Sequence, residues 1–265
     1  MSNPLYKLFF GIEKRIRFII ASVIMTALMM LSTFFFFDRA FFFLPLLITA
    51  AYALTYFSIL EGIEKIEFIT LFLMPVLVTV AFYLFYFLFP TRWITRIPFL
   101  TVYAISIYAM LLVSNIFNVG VEKSLQLYRA AFSVNYFYQS LVVFLFANLI
   151  LSFKLHILVG GILFLILGSV IAMHLFWSIK LELYFEKRLL SYAFFVGFIL
   201  FETAILTSFV PLQSSVMALL LSTVFYCIGG LTYLYLDERL FKETVREYII
   251  VLGFVVVLTV FTLVW

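Results

Sequence analysis

Glu202 lies deep inside an apolar run, in the stretch GFILFETAILTS. An ionised side chain at the centre of a bilayer costs at least about 2.5–3.5 kcal/mol, so such a carboxyl either holds a proton or finds a partner. Two kinds of chemistry follow. A carboxyl that binds a proton or contacts a cation would serve a carrier. A carboxyl that makes one interhelical hydrogen bond would serve packing. Its helical neighbours Phe195, Phe198, Ile199, Ile205, Leu206 and Phe209 are all apolar, which argues against a wetted path along that face.

The remaining candidates are polar rather than acidic. His174 sits near the end of another apolar run. A metal centre needs several ligands, so a lone histidine there reads as a hydrogen-bonded packing residue. At 1.5 Å per residue its backbone and that of Glu202 differ in depth by about 9 Å, so the two do not form an obvious pair. Asn135 and Gln139 stand one helical turn apart, with Asn148 further along and Asn115 in the preceding run. Buried amides commonly hold helices together. The competing reading is a polar substrate vestibule between the fourth, fifth and seventh apolar runs.

Enzyme signatures are missing. The sequence contains no G-x-x-x-x-G-K-[ST], H-E-x-x-H or G-x-S-x-G, the spacings that phosphate cradles, zinc proteases and serine hydrolases need. Two histidines and one cysteine, Cys227, exclude an internal disulfide and a cysteine metal cluster. No metal or other cofactor is implied, and a lipid-modifying enzyme ranks last among the readings.

The elements that must position these residues follow from composition. The chain is 66% hydrophobic and 11% charged, with a mean hydropathy of +1.23. Soluble domains run near 45–50% apolar and about 25% charged, so this chain's solvent is lipid. Breaking the sequence at charges and prolines predicts nine spans, at about 18–37, 41–60, 68–90, 98–118, 132–153, 157–179, 191–211, 213–236 and 249–265. The expected fold is therefore all-α, a polytopic membrane helix bundle forming a single transmembrane domain over residues 1–265. The N-terminal basic run precedes a stretch too long for a signal peptide, and it reads as the first span.

Charge sets the expected orientation. Of the 17 basic residues, only Arg39, Arg92, Arg96 and Lys154 fall on the side opposite the N-terminus; the other thirteen share its side. The positive-inside rule then predicts a cytoplasmic N-terminus and an outside C-terminus. Trp93, Trp177 and Trp265 fall at span ends, where indoles favour the headgroup layer. The expected location is a cell membrane, the bacterial inner membrane, with the bilayer as partner and no nucleic acid.

The basic connectors carry a recurring acid-then-base signature: GIEK at 11–14 and 62–65, GVEK at 120–123 and YFEK at 184–187. Its spacing fits one helical hairpin. Parallel two-span repeats starting near 11, 62, 120, 184 and 237 are one reading, and independent selection of boundary residues is the other. The stretch NVGVEKSLQLYRAAFSVNYF resembles segments of multi-pass bacterial membrane proteins, a resemblance that implies no activity. In LDERLFKETVREY the charges fall on one helical stripe, with Glu238–Lys242 and Arg239–Glu243 at i,i+4. This predicts a short amphipathic helix or an extension of a span. Arg239, Lys242, Arg246, Lys187 and Arg188 would present a face to lipid headgroups or to a protein partner.

Small residues predict a packing seam. Gly161, Gly168 and Ala172 share one face of the sixth span; Ala193, Gly197, Ala204 and Ser208 share one face of the seventh. Such stripes let helices approach closely. Pro45 and Pro75 fall inside spans and should each kink the helix or free a carbonyl. Two functional readings remain. The first is transporter-like, for a small or lipidic solute, with Glu202 as the proton or ion element. The alternative is a non-catalytic membrane subunit or scaffold that docks a cytoplasmic or membrane partner through its inner connectors.

Overall fold

The computed structural model describes residues 13–35, 39–59, 63, 67–88, 93–119, 125–181 and 186–264. Among them there are nine helices and no strand: α1 (Lys14–Ser32), α2 (Ala40–Ile59), α3 (Glu67–Tyr86), α4 (Trp93–Val119), α5 (Leu125–Ser152), α6 (Ile157–Trp177), α7 (Lys187–Ser208), α8 (Ser214–Leu236) and α9 (Lys242–Val264). All nine are long and apolar enough to cross a membrane. In lipid, the helix is the one element that satisfies its own backbone while standing alone, and this selects the class.

The helices overrun the apolar spans at several ends. The span expected at 98–118 begins instead at Trp93, that at 132–153 begins at Leu125, and that at 249–265 begins at Lys242. In each case the helix continues through polar residues, because chain leaving the bilayer keeps its backbone hydrogen bonds at little cost. The first span lies earlier than the expected 18–37, since α1 begins at Lys14 and ends at Ser32, where Thr33 is the C-cap. The i,i+4 pairing across 238–243 is not formed. Glu238 takes a left-handed φ of 57°, which breaks the helix between α8 and α9, and Arg239 pairs with Asp237 at 3.3 Å instead.

Where the acid-then-base signature is described, it marks a helix start. Glu13 is the residue before α1 and Glu186 the residue before α7; Lys14 and Lys187 are the first helical residues. A carboxylate beside the unpaired N–H groups of a helix start is electrostatically favoured. The copies at 62–65 and 120–123 lie outside the described residues, Ile63 excepted.

The chain divides into two compact units, Met1–Asn135 and Tyr136–Trp265. In the first, α1 packs on α2 and α4, while α3 packs on α2 and α4. Its core includes Phe18, Ala21, Met25, Phe72, Val78, Tyr103 and Leu111. Polar bonds tie these helices. Pro75 has no N–H, so the carbonyl of Leu71 four residues back loses its helical donor. Ser114 of α4 donates its hydroxyl to that carbonyl at 2.8 Å. The buried Thr79 and Tyr103 hydroxyls meet at 3.0 Å. Arg96 is buried at the start of α4. It donates to the Tyr86 hydroxyl and to the carbonyl of Thr33, just past the end of α1. Its guanidinium lies 4.4 Å from the Phe34 ring centroid and 4.9 Å from that of Trp93.

In the second unit α6 and α7 pack most extensively, α7 on α8, and α8 on α9. The small-residue seam accounts for the first pair. A Cβ added at Gly168 would stand 3.0 Å from Gly197 Cα, and one at Gly161 would stand 2.9 Å from the Phe201 ring. Only residues without a side chain allow the two backbones this approach. The expected packing of the sixth and seventh spans is therefore observed.

Candidate functional site

The second unit holds most of the residues singled out by type. On α5, Gln139 is fully buried, and its Nε2 lies 2.8 Å from His174 Nδ1 on α6. The His174 ring stacks obliquely against Trp177, with centroids 5.7 Å apart. Gln139 Oε1 has no hydrogen-bond partner among the described residues. One turn earlier on α5, Asn135, the last residue of the first unit, is also fully buried, and neither polar atom of its amide has a partner among the described residues. Asn148 turns its amide back to the Phe144 carbonyl at 2.9 Å, so it satisfies its own helix rather than a neighbour. Asn115, on α4 in the first unit, is half-buried, with its Oδ1 unpartnered among the described residues.

A tyrosine cluster lies beside the amides. Tyr136 of α5 donates its hydroxyl to the Tyr226 carbonyl on α8, and the two rings stack at 5.0 Å. Tyr248 of α9 meets Tyr226 at 5.3 Å between centroids. The hydroxyls of Tyr136 and Tyr248 converge over Gly230, where any side chain would collide with both. Cys227 is buried and lies 3.4 Å from the Tyr248 carbonyl. The cluster joins α5, α8 and α9 and uses its polar atoms internally. Sequence reading missed it because Tyr226 and Tyr248 come from different spans. The Gly229-Gly230 pair was the one signal of a close approach.

Glu202 stands apart from both groups. Its side chain is exposed on α7, 14 residues or about 21 Å along the helix from Arg188. It makes no hydrogen bond or ion pair among the described residues. Two small cavities lie elsewhere in this unit. One of about 80 Å³ is lined by Leu151, Lys154, Gly161, Phe164, Ala204 and Met217. The other, of about 50 Å³, is lined by Phe176, Lys180, Glu186, Arg188 and Leu236. Neither is lined by Glu202.

The basic residues gather where α6 and α8 end and α7 and α9 begin. Lys187, Arg188, Arg239, Lys242 and Arg246 are all exposed there. Lys180 pairs with Glu186 at 3.4 Å, and Arg188 lies 5.8 Å from the Tyr192 ring centroid. Lys187, Lys242 and Arg246 have no ion-pair partner among the described residues. Short connections force consecutive helices to reverse direction, so residues scattered from 180 to 246 form one cationic rim. Among the described residues no group of three or more histidine, cysteine or carboxylate side chains could hold a metal ion. No known protein family, curated protein or solved structure matches the chain.

Proposed function

We propose that the chain is a non-catalytic subunit or scaffold of a bacterial inner membrane, with its N-terminus in the cytoplasm and its C-terminus outside, that docks an acidic cytoplasmic partner on the rim of its second unit. The observation that carries this reading is the exposure of five cations at one end of that unit, three of them without an ion-pair partner among the described residues. Interior polar groups support it, because Tyr136, Asn148 and the Gln139–His174 pair bond within the unit. Positive rims also attract anionic headgroups, so the test separates the two. A photo-crosslinker at the exposed Leu240 should trap a discrete protein in cells, and R239Q/K242Q/R246Q should abolish that product. Crosslinks to lipid alone, unchanged by the triple substitution, would contradict the docking role.

The transporter-like reading, for a small or lipidic solute, rests on a different observation. Asn135 and Gln139 place three buried, unpartnered amide atoms on successive turns of α5, the kind of group that a passing polar solute would satisfy. It predicts that Gln139→Cys reacts with a small water-soluble thiol reagent in the bilayer. Failure to react, with Cys227 equally inert, counts against it.

A further inference from the structure

We infer that the second unit holds one acyl chain of an anionic phospholipid in the cleft between α5, α6, α7 and α8, with the lipid phosphate on Lys154. The cleft has a volume of about 80 Å³. It lies at the end of the unit away from the cationic rim, where α5 and α7 end and α6 and α8 begin. Gly161, Phe164, Ala204 and Met217 form its floor, and all four are buried. Phe164 stands seven residues past Ile157, the first residue of α6, so the floor lies about 10 Å below the helix start. The only polar side chains on the lining are Lys154 and Ser208, both exposed at the mouth. Gly160 keeps the slot open. A Cβ added there would meet nothing within 4 Å, whereas one at the adjacent Gly161 would stand 2.9 Å from the Phe201 ring. Close approach of helices explains Gly161 and does not explain Gly160.

Size and charge select this occupant. A helix with its side chains is about 10–12 Å across, so neither a second copy nor a partner helix enters the slot. A polar solute would find no side chain on the floor to bond. A single alkyl chain fits both the width and the apolar lining. The charge at the mouth completes the match. Lys154 has no ion-pair partner among the described residues. The turns FKLH at 153–156 and FVPLQ at 209–213 contain no carboxylate, and His156 is engaged in capping α6. Lys154 also takes a left-handed φ of 47°, a conformation that glycine or asparagine adopts more readily at a helix end. An unpaired ammonium above an apolar slot is complementary to an anionic headgroup above an alkyl chain, and the bilayer itself supplies that amphiphile. The site is separate from the cationic rim and does not depend on the docking proposed there.

The test uses the full chain in phosphatidylcholine nanodiscs. These are doped with phosphatidylglycerol or phosphatidylcholine that carries a photoreactive diazirine high on one acyl chain. Mass mapping of the adducts should place the phosphatidylglycerol label within residues 160–164 and 204–208. Label at this site should favour phosphatidylglycerol about fivefold, the scale of one lysine at an anionic headgroup. K154Q should remove that preference and K154R should restore it. G160L should fill the slot and remove the site's label from both lipids, with helix content and thermal stability unchanged. Should G160L unfold, K154Q still decides, because it alters only an exposed side chain. R239Q/K242Q/R246Q should leave the label at this site unchanged. Label spread evenly over exposed apolar positions such as Phe254, or equal labelling of the site by the two lipids, overturns the inference. A preference that survives K154Q also overturns it. A diazirine fatty acid that labels the site and is not displaced by excess phosphatidylglycerol would assign the slot to free fatty acids and overturn the phospholipid.

Discussion

Replacing Gln139 with Leu removes the group that faces His174 Nδ1 at 2.8 Å inside the second unit. Loss of one interhelical bond, with a polar atom stranded in a buried site, should lower stability by about 1–2 kcal/mol. Unfolding titrations in mixed micelles measure this, and an unchanged midpoint would mean that the pair is incidental. At this scale the sequence showed residue types but not partners. His174 was readable as a hydrogen-bonding residue, and its Nδ1 lies 2.8 Å from Gln139 Nε2. That its neighbour is Gln139 follows from how α5 and α6 are rotated, which no local spacing encodes. Arg96 stands outside the span expected at 98–118. It is buried instead, because α4 starts early and the guanidinium finds the Thr33 carbonyl, the Tyr86 hydroxyl and two rings. The placement of Glu202 inside an apolar run was legible. Its outward direction was not, since Phe195, Phe198, Ile199, Ile205, Leu206 and Phe209 around it are all apolar.

Helices respond to proline in a way that links two of them here. Pro75 frees the Leu71 carbonyl, and Ser114 supplies the missing donor from α4. S114A alone should cost about 1 kcal/mol. In a P75A background residue 75 can donate to Leu71 itself, so S114A should then cost distinctly less; additive effects in this double-mutant cycle would refute the link. The α6–α7 seam makes a second prediction at this scale. Gly168→Val and Gly197→Val should destabilise by more than about 2 kcal/mol, because backbone atoms and the Leu200 and Ser169 side chains already occupy the space. Gly253→Ala, with nothing within 4 Å of the added carbon, should stay within about 0.5 kcal/mol. The seam was legible because small residues at helical spacing have one main use in lipid. The end of α1 and the break at Glu238 were not, since both depend on cap geometry rather than hydrophobic pattern.

For the whole molecule, hydropathy carried the number of helices, since an apolar run of about 20 residues has few other fates. The division into two units near Asn135 had no counterpart in the sequence, because α5 is continuous across it. The central claim is that the acid-then-base helix starts and the basic connectors share one face of the membrane, the cytoplasmic one. The native Cys227 is buried, so single introduced cysteines can be read against a silent background. Cysteines at positions 13, 186 and 239, and at positions 154 and 213, can be challenged with an impermeant maleimide in intact cells and again after the membrane is opened. The account predicts that 154 and 213 react in intact cells and that 13, 186 and 239 react only after opening. If 13, 186 and 239 divide between the two conditions, or react from outside, the proposed topology and the docking role built on it are wrong.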